Sequence, residues 1–195
     1  MLHGYVVSLR PMERDDIPRL WEFAQDIQVG LTTGHMGRPT PLAAIEQLYE
    51  ERYGCIDPKG VFFGIEAHDL LIGGVEIDQI DWQNRSAQIV LYIGDPAYRR
   101  RGCGADALML ACNYAFKILG LHRLSYDVPG ENDAARIVYE KVGFQEEGRR
   151  REAHYRDGSY HDLVVMGLVR ADWTDDRPIE DLTTLPEPPA ISITQ

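Results

Sequence analysis

A chain of 195 residues is long enough for one compact domain with a hydrophobic core, and short for two. Hydrophobic residues make up 44% and charged residues 26%, which is typical of a globular protein and excludes wholesale disorder. The net charge of −11 disfavours non-specific binding to nucleic acid, which requires an excess of Lys and Arg. No apolar run approaches the roughly 20 residues that cross a bilayer, so we expect a cytoplasmic protein without a membrane partner.

The cysteine content gives no sign of a disulfide framework or of a zinc site. Cys55, Cys103 and Cys112 are an odd number, and no two of them form a C-x-x-C pair. We therefore expect free thiols and no metal.

The N-terminal part of the chain predicts one strand and two helices. The segment from Tyr5 to Arg10 favours a strand, and an amphipathic helix is predicted from Asp15 to about Ile27. Thr40 followed by Pro41 indicates a second helix start, with Thr40 as the capping residue and Pro41 at the first helical position. This helix is predicted to run to Tyr53.

The middle of the chain predicts three strands and a core helix. Residues 61–67, 70–78 and 86–94 are apolar runs separated by short turns, which is typical of strands that pair consecutively. Residues 104–120 then show apolar positions at helical spacing, and Gly120 is suited to end that helix.

The C-terminal third predicts a strand, a helix and a hairpin. The strand covers residues 121–128 and the helix covers residues 133–142. Two further strands, residues 144–156 and 160–169, are joined at the turn dipeptide Asp157-Gly158.

From residue 174 the composition becomes acidic and rich in proline. We therefore expect one domain over residues 1–173, followed by an extended or partly disordered tail over residues 174–195. The predicted element order is β-α-α-β-β-β-α-β-α-β-β, with most consecutive strands joined as hairpins. This is a mixed α/β layout and excludes a doubly wound parallel sheet.

A glycine-containing turn precedes the predicted core helix. Its residues, which read R-x-x-G-x-G-A, are Arg99, Arg100, Arg101, Gly102, Cys103, Gly104 and Ala105. Glycines allow a pyrophosphate to approach backbone N–H groups closely, and a helix N-terminus adds unpaired donors and a positive dipole. An arginine-rich surface turn is the alternative, because a short glycine pattern is weak evidence alone. The P-loop and dinucleotide-binding patterns are both absent.

A second motif, N-x-x-A-x-x-x-Y-E-K-x-G-F, begins at Asn132. Tyr139 lies seven positions later, nearly two helical turns, so both side chains are expected near the end of the preceding strand. Each residue also has a structural explanation, Asn132 as a helix N-cap and Tyr139 as part of an apolar stripe.

The two motifs in this order resemble those of the GNAT acetyltransferase family. The resemblance implies a mixed α/β fold, with a mostly antiparallel central sheet whose middle strands splay apart and which helices flank. It implies acetyl-CoA as donor, bound by the residues from Arg99 to Ala105 and by the backbone of Leu91, Tyr92 and Ile93. It also implies that Asn132 hydrogen-bonds the pantetheine arm or a water near the thioester, and that Tyr139 protonates the leaving thiolate.

The C-terminal hairpin resembles the RimJ/RimL-like branch of that family. This implies direct attack by an amine without an acyl-enzyme, with a protein N-terminus favoured and polyamines or small antibiotics as alternatives. Many relatives carry Glu where this chain has Gln88, so a non-catalytic acyl-CoA-binding module is a further alternative. The base stays open among Glu76, Asp78 and Asp127, and His35 could meet the acceptor. A homodimer is common in this branch, and an acidic tail that contacts a basic partner is a third reading.

Overall fold

The computed structural model describes residues 1–27, 29, 39–156 and 158–175. His35, Asp157 and most of the predicted tail lie outside the described residues, so the predictions made for them stay predictions.

One twisted sheet organises the described residues. Its eight strands are β1 (Leu2–His3), β2 (Ser8–Arg10), β3 (Val61–Ala67), β4 (Leu70–Asp81), β5 (Ser86–Ile93), β6 (Arg123–Pro129), β7 (Gln145–Arg156) and β8 (Ser159–Val169). Their spatial order is β1-β2-β3-β4-β5-β6-β8-β7. All neighbours are antiparallel except β5 and β6, which run parallel. A mixed α/β fold with a mostly antiparallel sheet was predicted and is confirmed.

In the described part of the chain, four helices flank the sheet. They are α1 (Ile17–Gln25), α2 (Leu42–Leu48), α3 (Cys103–Asn113) and α4 (Asp133–Val142). Wider π-helical turns continue α2 over Tyr49–Tyr53 and α3 over Tyr114–Ile118. Short 3-10 turns cover Arg14–Asp16, Pro96–Tyr98 and Arg170–Asp172.

The two faces of the sheet carry separate hydrophobic clusters. Because side chains alternate along a strand, Ile72 of β4 faces one cluster and its neighbour Leu71 faces the other. Helices α3 and α4 cover the first face, whose fully buried side chains include Ile65, Ile77, Ile89, Leu108, Phe116, Leu124 and Met166. Helices α1 and α2 cover the second face with Ile17, Leu20, Phe23 and Ile45. Any site between β5 and β6 therefore has one side that faces α3 and α4 and another that faces α1 and α2.

The strand predicted from Tyr5 to Arg10 begins only at Ser8, as β2, because a carboxylate from α3 holds the preceding residues in a turn. Asp106 Oδ2 accepts hydrogen bonds from the backbone N–H groups of Val6 and Val7, at 2.8 and 3.0 Å. The N–H of Gly4 donates to the carbonyl oxygen of Val7 at 2.8 Å, so Tyr5 and Val6 lie exposed outside the sheet. The prediction of a strand from Tyr5 was wrong for this reason.

The start of α2 also differs from the prediction. The helix begins at Leu42, and Pro41 occupies the N-cap position in an extended conformation. The carbonyl oxygen of Thr40 accepts hydrogen bonds from Trp21 Nε1 and Gln25 Nε2, both at 3.0 Å. These bonds attach the entry of α2 to α1.

The C-terminal elements agree with the sequence prediction. Gly143 ends α4 in the left-handed conformation, with φ of +114°, which glycine adopts without a steric cost. Strands β7 and β8 pair as an antiparallel hairpin. Beyond β8 the chain stays packed on α3, because Asn113 bonds both Trp173 and Asp175.

Candidate active site

A gap opens in the middle of the sheet between β5 and β6. These two strands pair over three positions, from Ser86 with Arg123 to Gln88 with Ser125. Beyond Gln88, β5 stays paired with β4 as far as Ile93, and β6 stays paired with β8 to its end. The two strands therefore separate, with β5 from Ile89 and β6 from Tyr126 bordering the gap, as the predicted splay requires.

Alternate residues of β5 direct their backbone groups into this gap. The hydroxyl of Tyr139 donates a hydrogen bond to the carbonyl oxygen of Ile89 at 2.9 Å. The N–H of Gly94 instead donates to Ile72 of β4 at 2.8 Å. Since N–H and C=O directions alternate along a strand, the backbone groups of Leu91 and Ile93 face the gap with those of Ile89.

Tyr92 does not fit the predicted backbone role. It lies directly opposite Gly74, and the same alternation turns its N–H and C=O toward β4 and away from the gap. Its side chain lies on the face covered by α1 and α2, where the ring packs over Gly74 and meets Phe23 edge-on at 6.4 Å. The expectation that the backbone of Tyr92 binds the donor was therefore wrong.

The Tyr139 side chain is held rigidly at the gap. Its exposed fraction is 1%, its ring stacks on Tyr126 with centroids 5.0 Å apart, and it meets Phe144 edge-on. Burial raises the pKa of Tyr139 well above 10, the neighbours Tyr126 and Cys112 add to the rise, and a hydrogen bond from the Leu91 N–H opposes it. Tyr139 is thus a neutral phenol at physiological pH, able to donate a proton.

The turn before α3 presents unpaired backbone amides. The first helical bond runs from the N–H of Asp106 to the carbonyl of Gly102 at 3.0 Å, so the N–H groups of residues 103–105 have no partner within the helix. Gly102 has φ of +87°, and a Cβ there would meet no atom within 4 Å. A Cβ on Gly104 would lie 3.4 Å from Leu91. The turn is open at Gly102 and places backbone donors of a helix N-terminus beside β5, which fits a pyrophosphate.

The three arginines of this turn do not share one environment. Arg99 is turned back onto the end of β5, where Nε donates to Ile93 and Nη2 donates to Gly94 and to Asp26, at 2.8 to 3.0 Å. Its charge is balanced by Asp26, and its contact with the donor stays a prediction. Arg100 and Arg101 are exposed, and Arg100 adopts a left-handed conformation with φ of +60°.

The cysteines near the gap are unreactive thiols. Cys103 is buried, and burial raises its pKa, with the nearby Asp106 adding to the rise. Cys112 is fully buried, and its pKa is raised well above 9 for the same reason. A nucleophilic cysteine needs a lowered pKa and access, and neither residue has them. Ala105 is buried beside them and contributes its backbone only.

Asn132 caps helix α4. Its Oδ1 accepts a hydrogen bond from the N–H of Ala135 at 3.1 Å, and its own N–H donates to the carbonyl of Pro129. The cap connects the end of β6 to the helix that carries Tyr139. Asn132 is therefore at the rim of the gap, and Tyr139 lies within it.

A polar cluster on the face of the sheet that α1 and α2 cover was not predicted from the sequence. Arg52 Nη2 lies 2.6 Å from Asp78 Oδ2 and 3.4 Å from Glu76 Oε2. Tyr53 donates to Glu76 Oε1 at 3.1 Å. The acidic residues stood out in the sequence, but their partners lie more than 20 positions away, and nothing local indicates the pairing. Asp127, the third carboxylate considered, forms an ion pair with Arg150.

Within the described part of the chain, no group of three His, Cys, Asp or Glu side chains could hold a metal ion. The same residues contain no helix that is long and apolar enough to cross a membrane.

Comparison with known proteins agrees with this geometry. Residues 7–145 match the family described as "Acetyltransferase (GNAT) domain". The chain belongs to the GNAT acetyltransferase family. It is accordingly an N-acetyltransferase, in a family whose members use acetyl-CoA.

Similar GNAT proteins are spread over two acceptor types. The chain is 28% identical to the "Putative ribosomal N-acetyltransferase YdaF" of Bacillus subtilis, over 88% of this chain and 95% of that protein. It is 27% identical to the spermidine N(1)-acetyltransferase of Escherichia coli K12, over 87% and 89%. A crystal structure of the Vibrio cholerae spermidine N-acetyltransferase in complex with CoA and spermine superposes with a TM-score of 0.78, at 28% identity over 85% and 96%.

Proposed function

We propose that this chain is a cytoplasmic enzyme that transfers the acetyl group of acetyl-CoA to a primary amine by direct attack in a ternary complex. One observation carries the proposal: three sets of groups meet at the gap between β5 and β6. They are the unpaired amides at the start of α3, the backbone of Leu91 and Ile93, and the hydroxyl of Tyr139.

The donor supplies an acetyl group that is activated as a thioester. The amides of residues 103–105 would hold its pyrophosphate with the help of the helix dipole, and Arg100 and Arg101 would add positive charge. The carbonyl of Leu91 and the N–H of Ile93 would hydrogen-bond its amide-containing arm, since the carbonyl of Ile93 already accepts from Arg99. The N–H of Leu91, which bonds the Tyr139 hydroxyl in this structure, would turn to the thioester carbonyl oxygen and stabilise the negative charge that it gains during attack.

Tyr139 is proposed as the proton donor to the leaving thiolate. Its hydroxyl currently donates to Ile89, so the sulfur would have to replace that carbonyl as the hydrogen-bond acceptor. A phenol with a raised pKa holds its proton until a strongly basic group arrives. Burial raises the pKa of a thiol as well, as at Cys112, and therefore favours proton transfer to a buried thiolate.

Asn132 is proposed to hydrogen-bond the donor arm at the rim of the gap while it caps α4. No base is assigned, because each of the three candidate carboxylates is held in an ion pair: Glu76 and Asp78 with Arg52, and Asp127 with Arg150.

The proposed acceptor is the α-amine of a protein N-terminus. The similarity to YdaF, which covers most of both chains, supports this choice. A polyamine is the second candidate, because several similar proteins are spermidine acetyltransferases and one of them was crystallised with spermine.

The test is thiol release from acetyl-CoA with a panel of N-terminal peptides, polyamines and small amines. Acceptor-dependent release that falls sharply in Tyr139→Phe is expected. Release that is equal in the parent and in Tyr139→Phe would remove Tyr139 from the mechanism. No release with any acceptor would favour an acyl-CoA-binding module, and calorimetry with acetyl-CoA would then measure the donor site directly.

We also propose that the protein self-associates, at least as a dimer. The Vibrio cholerae spermidine N-acetyltransferase is described as dodecameric, so assembly occurs among the relatives. Light scattering coupled to gel filtration measures the mass directly, and a monomer at micromolar concentration would contradict the proposal.

A further inference from the structure

Two carboxylates lie next to the gap, on the face of the sheet that α1 and α2 cover. Glu76 is directly opposite Val90, and Asp78 is directly opposite Gln88. Neighbouring strands lie about 4.8 Å apart, so Glu76 is one strand away from the part of β5 that borders the gap, and Asp78 is one strand away from Gln88, where the pairing with β6 ends. The side chain of Glu76 is 16% exposed, and that of Asp78 is 26% exposed.

The acceptor amine is expected to enter the gap from the face of the sheet that α1 and α2 cover. The unpaired amides at the start of α3 lie on the other face, and a donor held there would fill the α3 side of the gap. Attack on its carbonyl group then requires the amine to arrive from the side of α1 and α2. The charges beside this approach therefore decide which amines are favoured.

Arg52 forms ion pairs with both carboxylates. Besides its contacts with Asp78 and Glu76, its guanidinium lies over the ring of Phe62, 4.6 Å from the centroid. The π-helical turn Tyr49–Tyr53 places Arg52 and Tyr53 side by side over the sheet, and Tyr53 takes the second oxygen of Glu76. Burial lowers the pKa of Arg52, but attraction by Glu76 and Asp78 outweighs it, so the guanidinium stays charged.

We propose that Arg52 is a specificity-determining residue that disfavours acceptors with a second ammonium group near the reacting amine. The inference rests on the proposed function and narrows its acceptor to amines with one positive charge, such as a peptide N-terminus. A polyamine needs a carboxylate partner for its second ammonium, and here Arg52 already pairs with Glu76 and Asp78 and cancels half of their combined charge. Charge complementarity beside a binding site is a recognised source of specificity.

The experiment compares kcat/KM for spermidine with kcat/KM for a peptide that has a free N-terminus and no basic side chain. In Arg52→Gln the ratio of spermidine to peptide should rise roughly tenfold, because the cation that pairs with Asp78 and with Glu76 Oε2 is gone. Arg52→Lys keeps the charge and should keep the parental ratio. A purely structural role would instead lower both values together.

Arg14→Gln is the matched control. Arg14 forms an ion pair with Glu50 on the same side of the protein, with a side chain that is 67% exposed, and it does not contact Glu76 or Asp78. The variant removes the same charge from the surface and should leave the ratio unchanged. A ratio that fails to rise in Arg52→Gln, or that rises equally in Arg14→Gln, overturns the inference. Parent protein that releases no thiol with any acceptor overturns the proposed function itself, and this inference with it.

Discussion

The hydroxyl of Tyr139 donates a hydrogen bond to the carbonyl oxygen of Ile89 across the gap between the two central strands, at 2.9 Å. Tyr139 comes from α4 and Ile89 from β5, so the bond spans elements 50 positions apart in the chain. It places a buried phenol beside backbone groups that have no partner strand.

Tyr139→Phe tests this arrangement first. The ring and its packing against Tyr126 and Phe144 are kept, and only the hydroxyl is lost. We expect kcat to fall roughly 100-fold, since proton donation to a leaving group contributes about that much. Stability should fall by about 1 kcal/mol, the usual value for one hydrogen bond.

The measurements for this variant are steady-state thiol release and calorimetry with acetyl-CoA. Donor affinity should stay within a few-fold of the parent, because the backbone and α3 contacts remain. Tyr126→Phe keeps the ring stack and is the control, with activity close to that of the parent. A parental kcat in Tyr139→Phe would contradict the assigned role.

Gly102→Ala probes the phosphate-binding turn, and Gly158→Ala is its matched control. Both glycines have positive φ, +87° and +82°, and both would accommodate a Cβ without a contact within 4 Å. Each substitution therefore costs about 1 kcal/mol of stability through backbone strain alone. Only Gly102 adjoins the unpaired amides, so only Gly102→Ala should raise KM for acetyl-CoA.

Thermal unfolding and donor titration check this pair of variants. Similar losses of stability with a rise in KM confined to Gly102→Ala are expected. An equal rise in both variants would show that strain in general, and not the turn before α3, controls donor binding.

Much of the fold follows from local patterns between residues 61 and 169. Apolar runs, helical spacing and clear turn residues at their ends identify β3, β4, β5, α3, α4 and the final hairpin. Two errors arise where distant residues decide. Asp106 holds the Tyr5–Val6 turn from a helix 100 positions away, and Thr40 is fixed by Trp21 and Gln25 of α1.

The candidate site was predictable to a similar extent. The glycines of the α3 turn and Tyr139 are visible as spaced motifs, and the structure brings both to the same gap. The orientation of Tyr92 depends on its register with Gly74, and the neutralisation of Arg99 depends on Asp26, 73 positions away. Sheet register and long-range ion pairs produce no periodic pattern in the sequence, so these features appear only in the structure.

The free energy of unfolding should decline above pH 10. Burial raises the pKa of Tyr139, Tyr53 and Tyr92 above the value of about 10 expected in the unfolded chain. For Tyr126 burial raises the pKa to about 12. The folded state therefore holds protons that the unfolded state releases, and its stability is complete below pH 10 and declines as the pH rises from 10 through 12.

Urea unfolding at fixed pH values between 8 and 12 measures this decline. Tyr92→Phe removes one of the buried phenols and should make the decline shallower. Tyr155→Phe, at a position that is 62% exposed, is the control and should leave the slope unchanged. A slope that is identical in the parent and Tyr92→Phe would show that Tyr92 keeps its proton equally well in both states.

Asp106→Ala should destabilise the protein strongly. Its carboxylate is 5% exposed and is the acceptor for the N–H groups of Val6 and Val7. Removal leaves two backbone donors in the N-terminal turn without their acceptor, which costs about 1 to 3 kcal/mol for each donor that stays buried. Chemical denaturation measures the loss, with Asp133→Ala at an exposed position as the control. A change below 0.5 kcal/mol would mean that water replaces the carboxylate.

The boundary of the folded domain can be set by two truncations. Trp173 Nε1 donates to Asn113 Oδ1 at 3.2 Å, Asn113 Nδ2 donates to Asp175 at 2.7 Å, and the Trp173 ring lies 5.9 Å from that of Phe116. Asn113 is fully buried, so it relies on these partners. A chain that ends at Asp172 should lose about 3 kcal/mol of stability, because both polar groups of Asn113 lose their partners. A chain that ends at residue 176 keeps these contacts and should retain the parental stability and activity. If the longer truncation product also loses stability or acetyl transfer, the tail beyond it belongs to the functional domain.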